Sequence, residues 1–197
     1  MILKMAKTAK TLLRKEIAEK LKGISAEERN RQSEIVQEKL FSLPEFKSSK
    51  RVSVFLSMDT EINTEPIVRK LFDDGKECFV PRYTKTNMQM VKLTSMADWE
   101  NLPLTKWNIK QPSLTEDRED ALKTGGLDLI ISPGVAFTKT GLRIGHGGGY
   151  YDKYFQNLRD NQKKPVTFIG VAFREQIVND IPVESTDIAL DAVIYPE

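Results

Sequence analysis

Apolar residues near the start of the chain recur with the spacing of helices. Between residues 6 and 22 they are four apart, which places Ala9, Leu13, Ile17 and Leu21 on one stripe. Gly23 ends this helix, and Ser25-Ala26-Glu27-Glu28 has the pattern of a capping box. A second helix is therefore predicted to begin there and to run to about Leu43, where Pro44 stops it.

After residue 50 the pattern alternates between β-rich runs and helical segments. Strands are predicted at residues 51–56, 77–80, 127–131, 166–172 and 189–195. Between the first two, a helix begins at Glu65-Pro66 and ends at Asp73-Asp74-Gly75. Strand–helix–strand at this spacing is typical of a parallel sheet. The predicted fold is an α/β protein, a three-layer α/β/α arrangement with a mostly parallel, open, Rossmann-like sheet, in a single domain over residues 1–197.

The pattern is weakest in residues 84–124. Residues 88–93 favour a strand, residues 96–102 a short helix, and residues 116–123 either a charged helix or a loop. Trp107 lies between two prolines in this part. An aromatic residue in such a place is more often a packing anchor than a platform for a ligand, and we interpret Trp107 as an anchor.

A glycine-rich loop precedes the clearest amphipathic helix. Four glycines fall within five positions of Gly145-His146-Gly147-Gly148-Gly149, and the helix behind them runs to about Asp160 with Tyr151, Tyr154, Phe155 and Leu158 on one face. Such a loop lets backbone N–H groups approach an anion, and a helix N-terminus adds unpaired donors and a partial positive charge. The stretch therefore indicates a phosphate site.

Two charged residues flank this loop. Arg143 stands just before it as a possible clamp on phosphates. Asp152 lies in the first helical turn, away from the apolar stripe, where a carboxylate beside phosphates is a candidate magnesium ligand. A purely structural interpretation stays open, in which the glycines only allow a tight turn and Asp152 only complements the helix dipole. The loop matches neither the P-loop nor the dinucleotide fingerprint, because no Lys-Ser/Thr follows the glycines and Tyr150 stands where a glycine is needed.

Composition narrows the class of protein. Thirty basic residues against 28 acidic ones give a net charge of +2, which is too balanced to indicate nucleic-acid binding. A single cysteine, Cys78, excludes an internal disulfide framework and favours a reducing compartment. A single histidine, His146, leaves no Cys/His zinc set. No apolar run approaches the ~20 residues of a membrane span. We expect a cytoplasmic monomer that binds neither nucleic acid nor membrane.

Ligands of open parallel sheets bind beyond the carboxyl ends of the strands. The segments that follow the predicted strands contain a mixture of charged and aromatic residues: Glu61, Arg82, Tyr83, Lys139, Arg143, the glycine loop and residues 174–176. This mixture suits a nucleotide beside a flat, partly anionic molecule. Lys10 and Arg14 are four apart and could reach one anion, although such a pair is usually only a solvated edge.

The glycine-rich stretch Arg143 to Asp152 resembles the signature of the 5-formyltetrahydrofolate cyclo-ligase family. The resemblance covers nearly the whole chain, and further blocks carry it: Val54-Phe55-Leu56-Ser57 with Glu61, Pro81-Arg82-Tyr83, Gly126 to Ile130, Pro133 to Phe137, and Val183-Glu184 with Asp187. The loop departs from the vertebrate-like pattern, which has Arg and Lys where this chain has His146 and Gly148. Other members carry neutral residues at both positions.

The resemblance implies a reaction, two cofactors and a set of site residues. The reaction is the ATP-driven closure of 5-formyltetrahydrofolate to 5,10-methenyltetrahydrofolate, with ATP and Mg²⁺ as cofactors and 5-formyltetrahydrofolate as the partner molecule. ATP would be bound by Lys10, Arg14, Arg143, Ile144, Gly145, His146, Gly147, Gly148, Gly149, Tyr150 and Tyr151. The folate would be bound by Leu56, Glu61, His146 and Tyr150, and magnesium by Asp152 and Asp187. Lys10, Arg143 and Tyr150 would act in the catalytic step.

Two alternatives compete with the interpretation as a cyclo-ligase. One is a non-catalytic binding module that keeps the fold but has lost its ligand contacts. Retention of the residues assigned to ATP and magnesium argues against it. The other is a different phosphate-handling α/β enzyme, such as a sugar-phosphate isomerase, for which ATP would be irrelevant.

Overall fold

The computed structural model describes residues 2–197, with side chains from residue 6 onward. The helices are α1 Ile2–Lys22, α2 Ala26–Ser42, α3 Pro44–Ser48, α4 Glu65–Asp73, α5 Met96–Asn101 and α6 Tyr150–Asn161. The strands are β1 Arg51–Val54, β2 Glu77–Tyr83, β3 Met88–Leu93, β4 Leu129–Ser132, β5 Ala136–Thr138, β6 Arg143–Ile144, β7 Thr167–Val171, β8 Ile177–Val178 and β9 Ala192–Ile194. Two one-turn 3-10 helices lie at Ala121–Lys123 and Arg174–Gln176.

Six strands form the central sheet in the order β3-β2-β1-β4-β7-β9. All neighbouring pairs are parallel except β2 and β3, so only the edge strand β3 runs against the others. From β1 the chain first adds β2 on one side and later β4 on the other. The direction of strand order therefore reverses between β1 and β4, which is where open α/β sheets bind their ligands.

The central sheet is buried on both faces, because successive side chains of a strand point to opposite sides. Leu129 and Ile131 of β4 belong to one buried cluster, together with apolar side chains of α1, α2 and α4. Ile130 faces the other way and packs in a second cluster with Phe155 and Leu158 of α6. The result is the three-layer α/β/α arrangement that the sequence predicts.

A smaller, three-stranded sheet contains the start of the glycine-rich stretch. Strand β5 pairs antiparallel with β6 and parallel with β8. The turn between β5 and β6 is held by the backbone N–H of Leu190, which donates to the carbonyl of Gly141 at 2.9 Å. Since β6 consists of Arg143 and Ile144, this hairpin positions Arg143 and the loop that follows it.

The predicted elements are largely confirmed. Ser25 caps α2 by accepting from the backbone N–H of Glu28, as the capping box predicts. The segment predicted as a charged helix or loop at residues 116–123 is a loop that ends in one 3-10 turn. Four short elements were missed, namely α3 and the strands β5, β6 and β8. Among the helices within residues 2–197, none combines the length and apolar character that crossing a bilayer requires.

Candidate active site

A large cleft lies beyond the carboxyl ends of β2, β1 and β4 and has a volume of about 1370 Å³. This exceeds the roughly 300–1,000 Å³ of a pocket for one small molecule, so two ligands fit side by side. The charged part of its lining consists of Lys10, Arg14, Arg143, Gly145–Gly149, Asp152 and Glu184–Asp187. The aromatic part consists of Phe55, Leu56, Met58, Glu61, Tyr83, Trp107, Tyr150 and Tyr151.

The glycine loop joins β6 to the N-terminus of α6. Gly147 has φ 103° and Gly149, the N-cap of α6, has φ 64°, a region that residues with a Cβ rarely adopt. No side chain caps the helix at Gly149. In the described part of the chain, the N–H groups of residues 147–149 donate to no protein acceptor. Unused donors at a helix N-terminus, facing a cleft, form the anion site that the sequence predicts.

Helix α1 brings a guanidinium to this loop. The Nε of Arg14 donates to the carbonyl oxygen of Gly145 at 2.8 Å. A Cβ on Gly147 would lie 3.7 Å from the central carbon of the guanidinium, so Arg14 lies directly against the loop. A residue 131 positions away in sequence thus adds its charge to the donors of the loop.

Lys10 lies one turn earlier on α1 and is buried, with 5% of its surface exposed. Its Nζ donates to Oδ2 of Asp187 at 2.5 Å and to Oε2 of Glu184 at 2.9 Å. Burial alone would lower the pKa of Lys10, but the hydrogen bonds and charges of Asp187 and Glu184 outweigh it and raise that pKa. Lys10 is therefore a charged side chain of the cleft that is paired with carboxylates.

The buried Arg143 and the half-buried Asp152 form a second ion pair. Nη2 of Arg143 lies 3.0 Å from Oδ2 of Asp152, and the arginine side chain is only 3% exposed. The other carboxylate oxygen of Asp152 accepts from the backbone N–H of Ile188 at 3.2 Å. Asp152 therefore connects β6, α6 and the segment after Asp187, and the two predicted magnesium ligands meet at one corner of the cleft.

The loop after β1 forms the start of the aromatic part. Leu56 is buried, and Glu61 accepts a hydrogen bond from the backbone N–H of Met58 at 2.9 Å. Ser57 and Thr64 close the loop, because each backbone N–H donates to the hydroxyl of the other residue. Burial raises the pKa of Glu61 to about 7, while the hydrogen bond from Met58 opposes this rise. Burial thus favours the neutral form of this carboxyl group, and one backbone donor only partly offsets it.

Three tyrosines line the same cleft as this carboxyl group. The rings of Tyr83 and Tyr150 meet edge to face, with centroids 5.3 Å apart. Burial raises the pKa of Tyr83 to about 12 and raises that of Tyr151 well above its ordinary value, and the nearby charge of Glu61 adds to both shifts. The buried hydroxyl of Tyr151 makes no well-formed hydrogen bond in the described chain and interacts only with the hydroxyl of Tyr83. This end of the cleft therefore has polar groups that a ligand could satisfy.

His146 lies at the exposed edge of the glycine loop. The surrounding protein and, secondly, the positive charge of Arg14 lower the pKa of its imidazole. Both effects favour the neutral imidazole. A neutral ring suits the predicted contact role better than a proton-donating one.

The structure contradicts the interpretation of Trp107 as a packing anchor. Its side chain is 68% exposed, at the tip of a hairpin closed by the bridge between Leu104 and Lys110. The Nζ of Lys106 lies 4.4 Å from the ring centroid. Its position between two prolines favoured an anchor, but here the hairpin holds the ring at the mouth of the cleft.

Every residue that the sequence assigns to the site lines this cleft. Of the other residues expected near it, Arg82 points elsewhere, since its Nη1 donates to the carbonyls of Ser113 and Glu116. Lys139 and residues 174–176 are likewise absent from the described lining. Gln176 instead supports the cleft from below by donating to the carbonyl of Gly134 at 2.7 Å.

The corner formed by Asp152 and Asp187 has the right chemistry for magnesium. Carboxylate oxygens are hard donors, and Mg²⁺ usually takes only one or two of them and completes its shell with waters and phosphates. Within the described residues no group of three or more His, Cys, Asp or Glu side chains could hold a metal by itself. Two carboxylates suit a magnesium ion that binds together with a nucleotide better than one held by protein ligands alone.

Comparison with known proteins confirms the resemblance seen in the sequence. The model of the 5-formyltetrahydrofolate cyclo-ligase family matches residues 6–196. A 5-formyltetrahydrofolate cyclo-ligase of Mus musculus is 46% identical over 193 residues, which are 96% of this chain and 95% of that protein. A probable 5-formyltetrahydrofolate cyclo-ligase of Caenorhabditis elegans is 44% identical over 96% of this chain and 93% of its own. The solved 5,10-methenyltetrahydrofolate synthetase of Aquifex aeolicus is 32% identical, with a TM-score of 0.75 over 94% of this chain and 88% of its own.

Proposed function

The chain belongs to the 5-formyltetrahydrofolate cyclo-ligase family, and from this premise we propose how its cleft performs the reaction. Family membership makes it a ligase of folate one-carbon metabolism and excludes the isomerase alternative. The presence of all the assigned residues in one cleft argues against the binding-module alternative. The reaction is the ATP-dependent cyclisation of 5-formyltetrahydrofolate to 5,10-methenyltetrahydrofolate, with release of ADP and phosphate. One observation carries the assignment to this cleft: the glycine loop, with its unused donors, opens into the same cavity as the aromatic part of the lining.

ATP would bind at the charged part of the lining. The free N–H groups of residues 147–149 and the guanidinium of Arg14 support this assignment, because they provide donors and positive charge at one place. Lys10 and Arg143 would contribute charge from beneath the loop. The neighbouring residues assigned to the nucleotide are Ile144, Gly145, His146, Tyr150 and Tyr151.

The folate would bind at the aromatic part. Leu56 offers an apolar contact, and the carboxyl group of Glu61 would accept from pterin N–H groups. The T-shaped pair of Tyr83 and Tyr150 offers a surface for a flat ring. We add Trp107 to this set, because its exposed ring lies at the mouth of the same cleft.

The chemistry explains why the two ligands must lie side by side. A formyl group on nitrogen is a poor electrophile, and its oxygen is a poor leaving group. Transfer of the γ-phosphoryl group to that oxygen lets the nitrogen at position 10 attack the carbon, after which phosphate departs and the ring is closed. The protein's residues position the two ligands and stabilise charge on the transferred group, with no covalent nucleophile required.

Asp152 and Asp187 would hold magnesium beside the phosphates. The ion would supply charge neutralisation for phosphoryl transfer. Lys10, Arg143 and Tyr150 would contact the reacting groups, with the two cations stabilising charge and the tyrosine orienting the folate.

The decisive test is the near-UV absorbance of the methenyl product. Purified protein should form it from 5-formyltetrahydrofolate only when ATP and a divalent cation are both present. Product formed in a chelator and without ATP would contradict the mechanism. Absence of product under all conditions would contradict the proposed activity.

We also propose that the protein acts as a cytoplasmic monomer. The buried, unpaired thiol of Cys78 supports a reducing compartment. Light scattering during size exclusion would test the monomer. Fractionation of cells into cytosol and mitochondria would test the location.

A further inference from the structure

Lys10 occupies a place between two carboxylates at the corner where magnesium would bind. Its Nζ lies 2.5 Å from Oδ2 of Asp187 and 2.9 Å from Oε2 of Glu184. The same Oδ2 accepts a hydrogen bond from the backbone N–H of Glu184 at 2.8 Å. Asp187, the proposed metal ligand, is thus already neutralised by a cation of the protein itself.

This arrangement and a metal ion on Asp187 oppose each other. Lys10 is buried, so water screens its charge poorly and a dication nearby would be repelled. Lys10 and Arg14 are one turn apart on α1, and Arg14 lies on the glycine loop. Phosphates bound at the loop would therefore attract the flexible Lys10 side chain away from the two carboxylates.

We propose that Lys10 is an exchangeable cation, which Glu184 and Asp187 hold until nucleotide phosphates draw it away and a divalent cation takes its place on Asp187. Glu184 is then a positioning residue that holds Lys10 and does not ligate the metal. The inference rests on the proposed function in one respect, namely that Asp187 is a metal ligand. Its consequence is that metal and nucleotide strengthen each other's binding, while the metal alone binds weakly.

The test measures Mn²⁺ binding to the full-length protein without nucleotide, by the electron paramagnetic resonance signal of free Mn²⁺. Lys10→Met removes the competing charge at similar side-chain length and should bind Mn²⁺ about tenfold or more tightly than wild type. Lys10→Arg keeps the charge and should stay as weak as wild type. Equal affinity of Lys10→Met and wild type would overturn the proposal. Lys10→Gln serves in place of Lys10→Met if thermal melts show that the methionine variant is unfolded.

Two further variants locate the gained affinity. In the double variant Lys10→Met/Asp187→Asn it should disappear, and a tight site that survives would place the metal elsewhere and refute the exchange. Glu184→Gln weakens the hold on Lys10, so its Mn²⁺ affinity should rise, although less than in Lys10→Met. A lower affinity in Glu184→Gln would show that its negative charge serves the metal more than it serves Lys10, and would contradict its positioning role.

A parallel titration separates this inference from the proposed function. With ATP present, Asp187→Asn should bind Mn²⁺ more weakly than wild type. If it does not, the assignment of Asp187 as a metal ligand fails and the exchange fails with it. If it does, and Lys10→Met still matches wild type without nucleotide, the exchange alone is wrong.

Discussion

The charged and aromatic parts of the cleft differ in how their polar groups are satisfied. In the charged part, two cations are already paired with carboxylates, namely Lys10 with Glu184 and Asp187, and Arg143 with Asp152. Arg14 donates to a loop carbonyl instead, and the Nε of Arg143 has no partner in the described chain. In the aromatic part, no cation pairs with the carboxyl group of Glu61, which has a single backbone donor, and the buried hydroxyl of Tyr151 interacts only with that of Tyr83 in the described chain.

The difference indicates two modes of ligand binding. A nucleotide with its metal must replace existing ion pairs, so its affinity depends on an exchange of partners. A ligand of the aromatic part supplies hydrogen bonds to buried polar groups that have too few protein partners. Its binding therefore removes the free-energy cost of leaving those groups unsatisfied. Substitutions in the two parts should therefore have different signatures.

The largest effect is expected for Asp152→Asn. The substitution leaves the buried guanidinium of Arg143 without its carboxylate, which should cost about 3 kcal/mol of stability. If Asp152 also holds magnesium, kcat should fall at least about tenfold, with partial rescue by added magnesium. Urea denaturation and kcat against magnesium concentration measure the two effects separately.

Asp187→Asn is the matched control for Asp152→Asn. It should lower kcat similarly but destabilise less, because Lys10 keeps Glu184 as a partner. The double variant should lose less activity than the sum, since both residues act on one ion. If Asp152→Asn turned over normally at saturating ATP and lost only about 0.3–1 kcal/mol of stability, the only role left for Asp152 would be its interaction with the helix dipole.

Arg14→Ala tests the charged part without breaking an ion pair. Arg14 donates to a carbonyl of the glycine loop, and a hydrogen bond to a charged group is worth about 1.5–3 kcal/mol. The KM for ATP should rise roughly 10- to 100-fold while the KM for the folate stays unchanged. If Arg14→Ala weakened folate binding alone, α1 would contact the folate and the assignment of Arg14 to ATP would be wrong.

Glu61→Gln tests the aromatic part through pH. Burial raises the pKa of Glu61 from 4.5 to about 7, so between these values the folded protein holds a proton that the unfolded chain has released. Stability should be fully present below this window and fall as pH rises through it, by at most about 1.4 kcal/mol per pH unit. Urea midpoints between pH 4 and 8 should lose this slope in Glu61→Gln, and parallel profiles for the two proteins would contradict the assignment.

Local sequence features predicted most of the fold and the loop. The parallel strands are apolar because both faces of the sheet are buried, and α6 shows the period of a half-buried helix. The hairpin that positions Arg143 was missed because β6 has only two residues and β5 only three, too few for alternation to be visible. Glycines and a following amphipathic face are local signals, so the phosphate loop could be predicted without that hairpin.

Contacts between distant residues could not be predicted in this way. Lys10 and Asp187 are 177 positions apart, and nothing near either residue indicates that they pair. The pairing of Arg143 with Asp152 was missed for a different reason, because both residues were interpreted by the ligand each could bind and not by each other. Trp107 was misjudged because its exposure depends on where a hairpin ends, which is a tertiary property.

The smallest effect is expected for Trp107→Ala, which tests the edge of the aromatic part. Its exposed ring has few protein contacts to lose, so stability should change little. If the ring stacks on the folate, the KM for the folate should rise about 2- to 10-fold while the KM for ATP stays constant. Trp107→Phe should recover most of this loss, since it keeps a flat ring.

Fluorescence provides a second readout that a purely structural role would not change. The chain has two tryptophans, so Trp99→Phe leaves Trp107 as the sole indole. Trp99 packs against the hydrophobic core and is not part of the described cleft lining, so this substitution should preserve folate binding. Adding 5-formyltetrahydrofolate without ATP should then change the emission of Trp107, and adding ATP alone should not. If the emission responded to ATP and not to the folate, Trp107 would belong to the charged part, and the assignment of the two parts to two ligands would be wrong.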